Sequence, residues 1–107
     1  MHNYFSFIDT GLLDQKLSTG QFPFSKYLFW DTPVHMIDVK LHQKYIIERV
    51  LVKGFLTDFY ILLKLYSNDE IVVAIKRSRV LDRKTVNFCS YYFNVPIKEL
   101  YASSYYS

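Results

Sequence analysis

A single cysteine, Cys89, stands in 107 residues, so the chain can build neither an internal disulfide nor a cysteine-ligated zinc centre. A lone thiol fits a reducing compartment. Glycine and proline number three each, too few for the turns of an all-β fold. No apolar run approaches the roughly 18 residues a membrane span needs, so no membrane segment is expected. The start, MHNYFSFIDTGLLDQKLSTG, lacks the basic and continuous apolar regions of a secretory signal, and a cytoplasmic protein is the expectation. Chemistry is equally sparse. There is no glycine-rich phosphate loop, and His2, His35 and His42 have no metal-ligating spacing or H-E-x-x-H frame. The carboxylates are scattered. No catalytic, cofactor or metal residues are therefore assigned, and an enzyme is the least supported class. The net charge of +3 is too mild to imply a nucleic-acid partner by itself.

What is present is apolar and aromatic. Half the residues are hydrophobic and 19% aromatic, which argues for a packed domain and against disorder. The chain is expected to be all-α, a single small bundle of four to five short helices around a central helix over 38–54. Asp38 suits its N-cap and Gly54 a left-handed C-terminus. Val39, Ile46 and Val50 form one apolar stripe, with Ile47 and Leu51 beside it; Leu41, Tyr45 and Val52 form another nearly opposite, as on a helix covered from two sides.

Residues 1–20 read as an N-terminal arm, with a possible short helix through Leu12, Leu13 and Leu17. The arm either packs on the core or orders on a partner. Pro23 suits the first turn of a short helix through Trp30, which Asp31-Thr32-Pro33 ends, and a second short turn is expected from Pro33 to Ile37. Trp30, the only tryptophan, reads as a core anchor. Thr57 suits the N-cap of a greasy helix over 58–66. Ser67-Asn68-Asp69-Glu70 has the form of a capping box for a helix to about Arg77. Ile71 to Ile75 is β-branched enough for a strand; the capping box favours helix. Asp82 caps a helix that Asn94 closes, with Leu81 and Val86 as a hydrophobic staple, and Pro96 opens a last short helix. Cys89 falls on the apolar side with Val86 and Phe93, as a small core residue. The division expected is arm 1–20, helical domain 21–101 and a flexible tail 102–107.

The most distinctive charge feature is KRSRVLDRK over 76–84. Lys76, Arg77, Arg79, Arg83 and Lys84 face one acid, Asp82, across the turn between two helices. Arg83, Lys84, Asn87, Ser90 and Tyr91 share one helical face, and such residues grip phosphates and read base edges. Helix, turn, basic helix is also the order of a helix-turn-helix, so Lys76, Arg77, Arg79, Arg83, Lys84, Asn87 and Tyr91 are the candidate nucleic-acid contacts. The competing reading is a solvated face. Helix C-termini attract cations, and this turn has no glycine and is long for the motif.

Three stretches carry a family resemblance: Leu28-Phe29-Trp30-Asp31, Ile46 to Gly54, and Lys84-Thr85-Val86-Asn87-Phe88. Over about residues 22–101 the chain resembles a small uncharacterised bacterial helical domain family of Bacteroidetes type. Such domains are often encoded beside nucleotidyltransferase-like toxins of abortive-infection systems. The resemblance implies an antitoxin or regulatory partner, and no chemistry. The expectation is a non-enzymatic interaction or regulatory module, antitoxin-like, with a toxin-like nucleotidyltransferase as its protein partner. The alternative is a DNA-binding regulator of helix-turn-helix type using the basic helix 83–93. A homodimer through the aromatic arm or tail is also open.

Overall fold

Ile46, Ile47 and Val50 are the apolar triplet that α2 (Gln43–Lys53) turns inward, with 0%, 0% and 3% of their surfaces exposed. The computed structural model describes residues 8–20 and 22–100. Around α2 lie α3 (Leu56–Leu65), α4 (Asn68–Arg77) and a 3-10 turn, Lys26–Phe29. On the outside, α1 (Thr10–Ser18) packs on α3, and α5 (Arg83–Phe93) packs on α4 and on the short turn Ile97–Glu99. No strand occurs among the described residues, and the bundle is all-helical as the periodicity indicates. Burying each of the large aliphatic side chains of α2, α3 and α4 contributes about 1.5–3 kcal/mol, which holds helices too short to persist alone.

Local signals set the helix ends. Ser67 Oγ accepts from the Glu70 amide at 3.1 Å while Glu70 Oε1 accepts from the Ser67 amide at 2.9 Å, so the capping box is formed. Ile71 to Ile75 are therefore helical, with Ile71, Ala74 and Ile75 facing inward. Asp82 Oδ1 accepts from the Thr85 amide at 2.8 Å and starts α5; Asn94, at φ 55°, closes it. Leu81 and Val86 are both buried, as a staple requires. In the arm, Asp9 caps α1 through the Leu12 amide at 3.1 Å, and the Tyr60 hydroxyl donates to Asp14 Oδ1 at 2.9 Å. Residues 10–18 thus pack on the core. Residues 1–7 of the arm, and the tail expected over 102–107, lie outside the described residues.

Five local expectations change. The central helix begins at Gln43 instead of Asp38, because residues 38–42 close on themselves. Asp38 Oδ1 takes the amides of Lys40 and Leu41 at 2.8 and 2.9 Å, and His42 Nδ1 accepts from the Asp38 amide at 2.9 Å. That turn throws Leu41 outward, 81% exposed, off the stripe expected for it. Gly54 is not left-handed: its φ is −74° and ψ 159°. Its lack of a side chain matters sterically, since a Cβ would sit 2.6 Å from the Val50 carbonyl oxygen. Thr57 lies inside the first turn of α3, which starts at Leu56. Pro23 is buried ahead of its turn and does not open a helix.

Asp58 supplies what the cap of α3 lacks. Phe55 has no side-chain oxygen, and Asp58 Oδ2 accepts from the Phe55 amide at 3.0 Å. The same carboxylate, 1% exposed, takes the Ser25 amide at 2.7 Å and the Ser25 hydroxyl at 2.8 Å. One acid thus fastens the aromatic segment 22–30 to the start of α3, and so places the next residues along.

Candidate interaction surface

Trp30 is 81% exposed, where the sequence suggested a core anchor. The cause is the tight turn before it. Leu28 and Phe29 are both 2% exposed and fill the inward side of the Lys26–Phe29 turn. With three residues per turn, the next side chain must leave the core.

Arg49 fixes this geometry. Its Nη1 donates to the Leu28 carbonyl at 2.9 Å, its Nη2 to Asp31 Oδ2 at 2.8 Å, and its guanidinium lies 4.8 Å from the centre of the Tyr45 ring. The fork satisfies the end of the 3-10 turn and holds Asp31 beside it. The hydrogen bond from Arg49 keeps the Asp31 carboxyl below the usual carboxylate range. Arg49 is therefore a clamp, while His42, on the turn before α2, is turned onto the Asp38 amide.

Between Trp30 and α2 lies an open groove of about 400 Å³, with Tyr45, Val52 and Val80 among its walls and Lys53 and Glu48 at its rim. Val80 reaches it from the α4–α5 connection. Ser78, fully buried, donates to Glu48 Oε2 at 2.5 Å and pins that connection onto α2. A second depression of about 340 Å³ shares Val52 and runs on to Phe55, Phe88 and Lys84. Trp30, Val80 and Phe55 are each more than half exposed, at 81%, 62% and 62%. Trp30 and Val80 line the first depression and Phe55 the second, exposed apolar side chains of the kind found at interaction sites.

The candidate nucleic-acid contacts lie beside these depressions. Arg77, Arg79, Arg83, Lys84, Asn87 and Tyr91 are exposed. Lys76 is exposed too, but its ammonium pairs with Glu99 at 3.0 Å. Ser90 leaves the set: it is half-buried and its hydroxyl donates to the Val95 carbonyl at 2.6 Å. The bend itself is anchored by Ser78 and Leu81, both buried, while its cations stay outside. The N-terminus of α5 is already occupied by the Asp82 carboxylate, which the Thr85 hydroxyl and amide hold below its ordinary value.

Cys89 is 0% exposed, and burial pushes its thiol up to about 12, so it is a core residue and no thiolate nucleophile. Among the described residues no group of three or more histidines, cysteines or carboxylates is placed to hold a metal ion, and no helix is long and apolar enough to cross a membrane. Reading the sequence for charge missed Trp30, Val52, Lys53 and Val80. The available signals were a tryptophan running straight into Asp-Thr-Pro and an isolated valine in a cationic bend.

A protein family of unknown function, DUF6922, matches residues 24–75. The match takes in Trp30, Tyr45, Arg49 and Val52, and ends before Val80 and the cationic bend. No curated protein and no solved structure matches the chain.

Proposed function

We propose that the protein is a non-enzymatic interaction module that presents the Trp30 face to a protein partner. The observation that carries this reading is the sole tryptophan held in the open, with a clamped arginine below it and an apolar groove alongside. Interfaces draw most of their energy from a few side chains, among which tryptophan is enriched. The resemblance to domains encoded beside abortive-infection nucleotidyltransferase-like toxins supports taking the partner as a toxin and this chain as its antitoxin-like counterpart. The test is to express the chain with the products of adjoining genes. The expected result is a complex that survives size-exclusion chromatography and is weakened by Trp30→Ala. No complex with any adjoining product, or one indifferent to Trp30→Ala, contradicts the reading.

DNA binding stays as a second reading because one observation favours it: Arg77, Arg79, Arg83, Lys84, Asn87 and Tyr91 are all exposed along the bend and α5. A DNA complex held by these cations loses affinity with salt, with a log–log slope of about −0.9 per phosphate neutralised. An Arg83→Ala/Lys84→Ala chain that binds promoter DNA as well as the parent removes this reading.

A further inference from the structure

We propose that the cationic bend and the exposed stripe of α5 bind a single-stranded nucleic acid, the bend holding its phosphates and Tyr91 stacking on an unpaired base. This rests on the nucleic-acid reading above and names the form of the ligand, a strand instead of a duplex.

Charge is the first part of the argument. Of the chain's 13 lysines and arginines and 10 acids, residues 76–84 hold Lys76, Arg77, Arg79, Arg83 and Lys84 against Asp82 alone. Eight cations and nine acids remain elsewhere, so the net charge of +3 comes from this one segment. The acids around it are engaged within the fold: Asp82 accepts the Thr85 amide at 2.8 Å, Glu48 the Ser78 hydroxyl at 2.5 Å, and Glu99 pairs with Lys76 at 3.0 Å. Counted in full, those three acids still leave the five cations in excess, and Arg77, Arg79, Arg83 and Lys84 are all exposed. The complement of such a segment is a polyanion.

The second part is how α5 uses its aromatic residues. Phe88, Tyr92 and Phe93 gather on Phe59, with ring centroids 5.5, 5.0 and 6.4 Å away, and are half-buried or buried. Tyr91 goes the other way and is 65% exposed. It falls on one line with Arg83 and Asn87 at four-residue spacing, about 12 Å along the helix from Arg83. A strand needs cations for its phosphates and, beside them, an outward ring and an amide for its unpaired bases, and this stripe supplies both.

A duplex fits less well. A helix read in the major groove, about 12 Å wide, must stand clear of its own domain. In α5, Thr85, Val86, Cys89 and Phe93 are buried and Phe88, Ser90 and Tyr92 half-buried, which leaves only a narrow strip outside. α4 ends at Arg77 and α5 begins at Arg83, and the five residues between them exceed the roughly three or four of a helix-turn-helix. An acidic protein segment matches the bend but leaves the Tyr91 ring and the Asn87 amide unused.

The experiment titrates the full chain into a fluorescein-labelled oligothymidine and into a labelled duplex of the same length, read by anisotropy across a salt series. The single strand should bind more tightly than the duplex. Tyr91→Ala, an exposed change checked by circular dichroism for intact folding, should weaken the strand by about fivefold or more and leave the salt slope unchanged, and Tyr91→Phe should restore the parent affinity. Arg83→Ala/Lys84→Ala should instead make the slope shallower, by about 0.7 for each phosphate contact removed. A duplex bound more tightly than the strand overturns the single-strand assignment and leaves the nucleic-acid reading standing. No binding of either at low salt overturns both. Strand binding indifferent to Tyr91→Ala, or displaced as readily by poly-glutamate, reduces the stripe to a charged face and overturns the proposal.

Discussion

Replacing Asp58 by alanine should be the most damaging single change in α3. The carboxylate is 1% exposed and accepts three hydrogen bonds, from the Ser25 amide, the Ser25 hydroxyl and the Phe55 amide, at 2.7, 2.8 and 3.0 Å. Hydrogen bonds to a charged group contribute about 1.5–3 kcal/mol each, and a buried donor left unpaired costs about 1–3 kcal/mol. The three are not independent, because a loosened Ser25 segment can turn one donor to water. A loss of about 3–5 kcal/mol follows, at the extreme of what one substitution does and a large fraction of a small domain's total of about 5–15 kcal/mol. Urea unfolding followed by circular dichroism at the helical band measures it, with Asp58→Asn as a same-shape companion. The amide can accept from one donor but presents its own N–H groups to another, so its loss should be intermediate. A loss below about 1 kcal/mol for Asp58→Ala would refute the view that this carboxylate ties segment 22–30 to the bundle.

Two further results are expected. Gly54→Ala and Gly54→Asn should both destabilise the chain, by about 1–3 kcal/mol in the same urea experiment, because any Cβ meets the Val50 carbonyl oxygen at 2.6 Å. A tolerated Asn would instead indicate a left-handed cap. Asp31, Asp38 and Asp82 all have native pKa values below their ordinary ones, through the Arg49 hydrogen bond, the Leu41 and Lys40 amides, and Thr85 respectively. A depressed native value adds stability above the unfolded pKa and loses it as pH falls through the folded one. Urea midpoints should therefore drop as pH falls below about 4, the ordinary aspartate range, and Asp31→Asn should make that drop shallower. A midpoint that rises on acidification contradicts the sign.

How much of this was legible depended on how local the deciding interaction was. The Ser67–Glu70 box, the Asp82 cap and the Asn94 terminus join residues a few positions apart, and α4 and α5 begin and end where those signals place them. The β-branched run Ile71 to Ile75 yields to helix because the box fixes the first turn and one face of the run finds the core. Asp38 showed the limit of the same logic. Its side chain does cap, but it caps a turn that His42 locks, and nothing in the spacing says which closure wins. Trp30 and Asp58 were beyond local reading for opposite reasons. Aromaticity says what a ring gains by burial, not whether the turn carrying it has an inward position left, and Leu28 and Phe29 had taken those. An acid in an apolar helix reads as its wet side until Ser25, 33 residues earlier in the chain, is known to pass over it. The cationic stretch 76–84 was visible as composition. Its division into the Lys76–Glu99 pair, the buried Ser78 anchor and an exposed remainder needed the tertiary fold.

The interaction-module reading turns on where the one indole sits. The direct measurement is acrylamide quenching and the emission maximum of Trp30 in the native chain and in urea. A native emission close to that of the unfolded chain, with quenching nearly as efficient, is the expected result for a side chain 81% exposed. A blue-shifted, quencher-protected native emission that opens only on unfolding puts the indole in the core and contradicts the docking face.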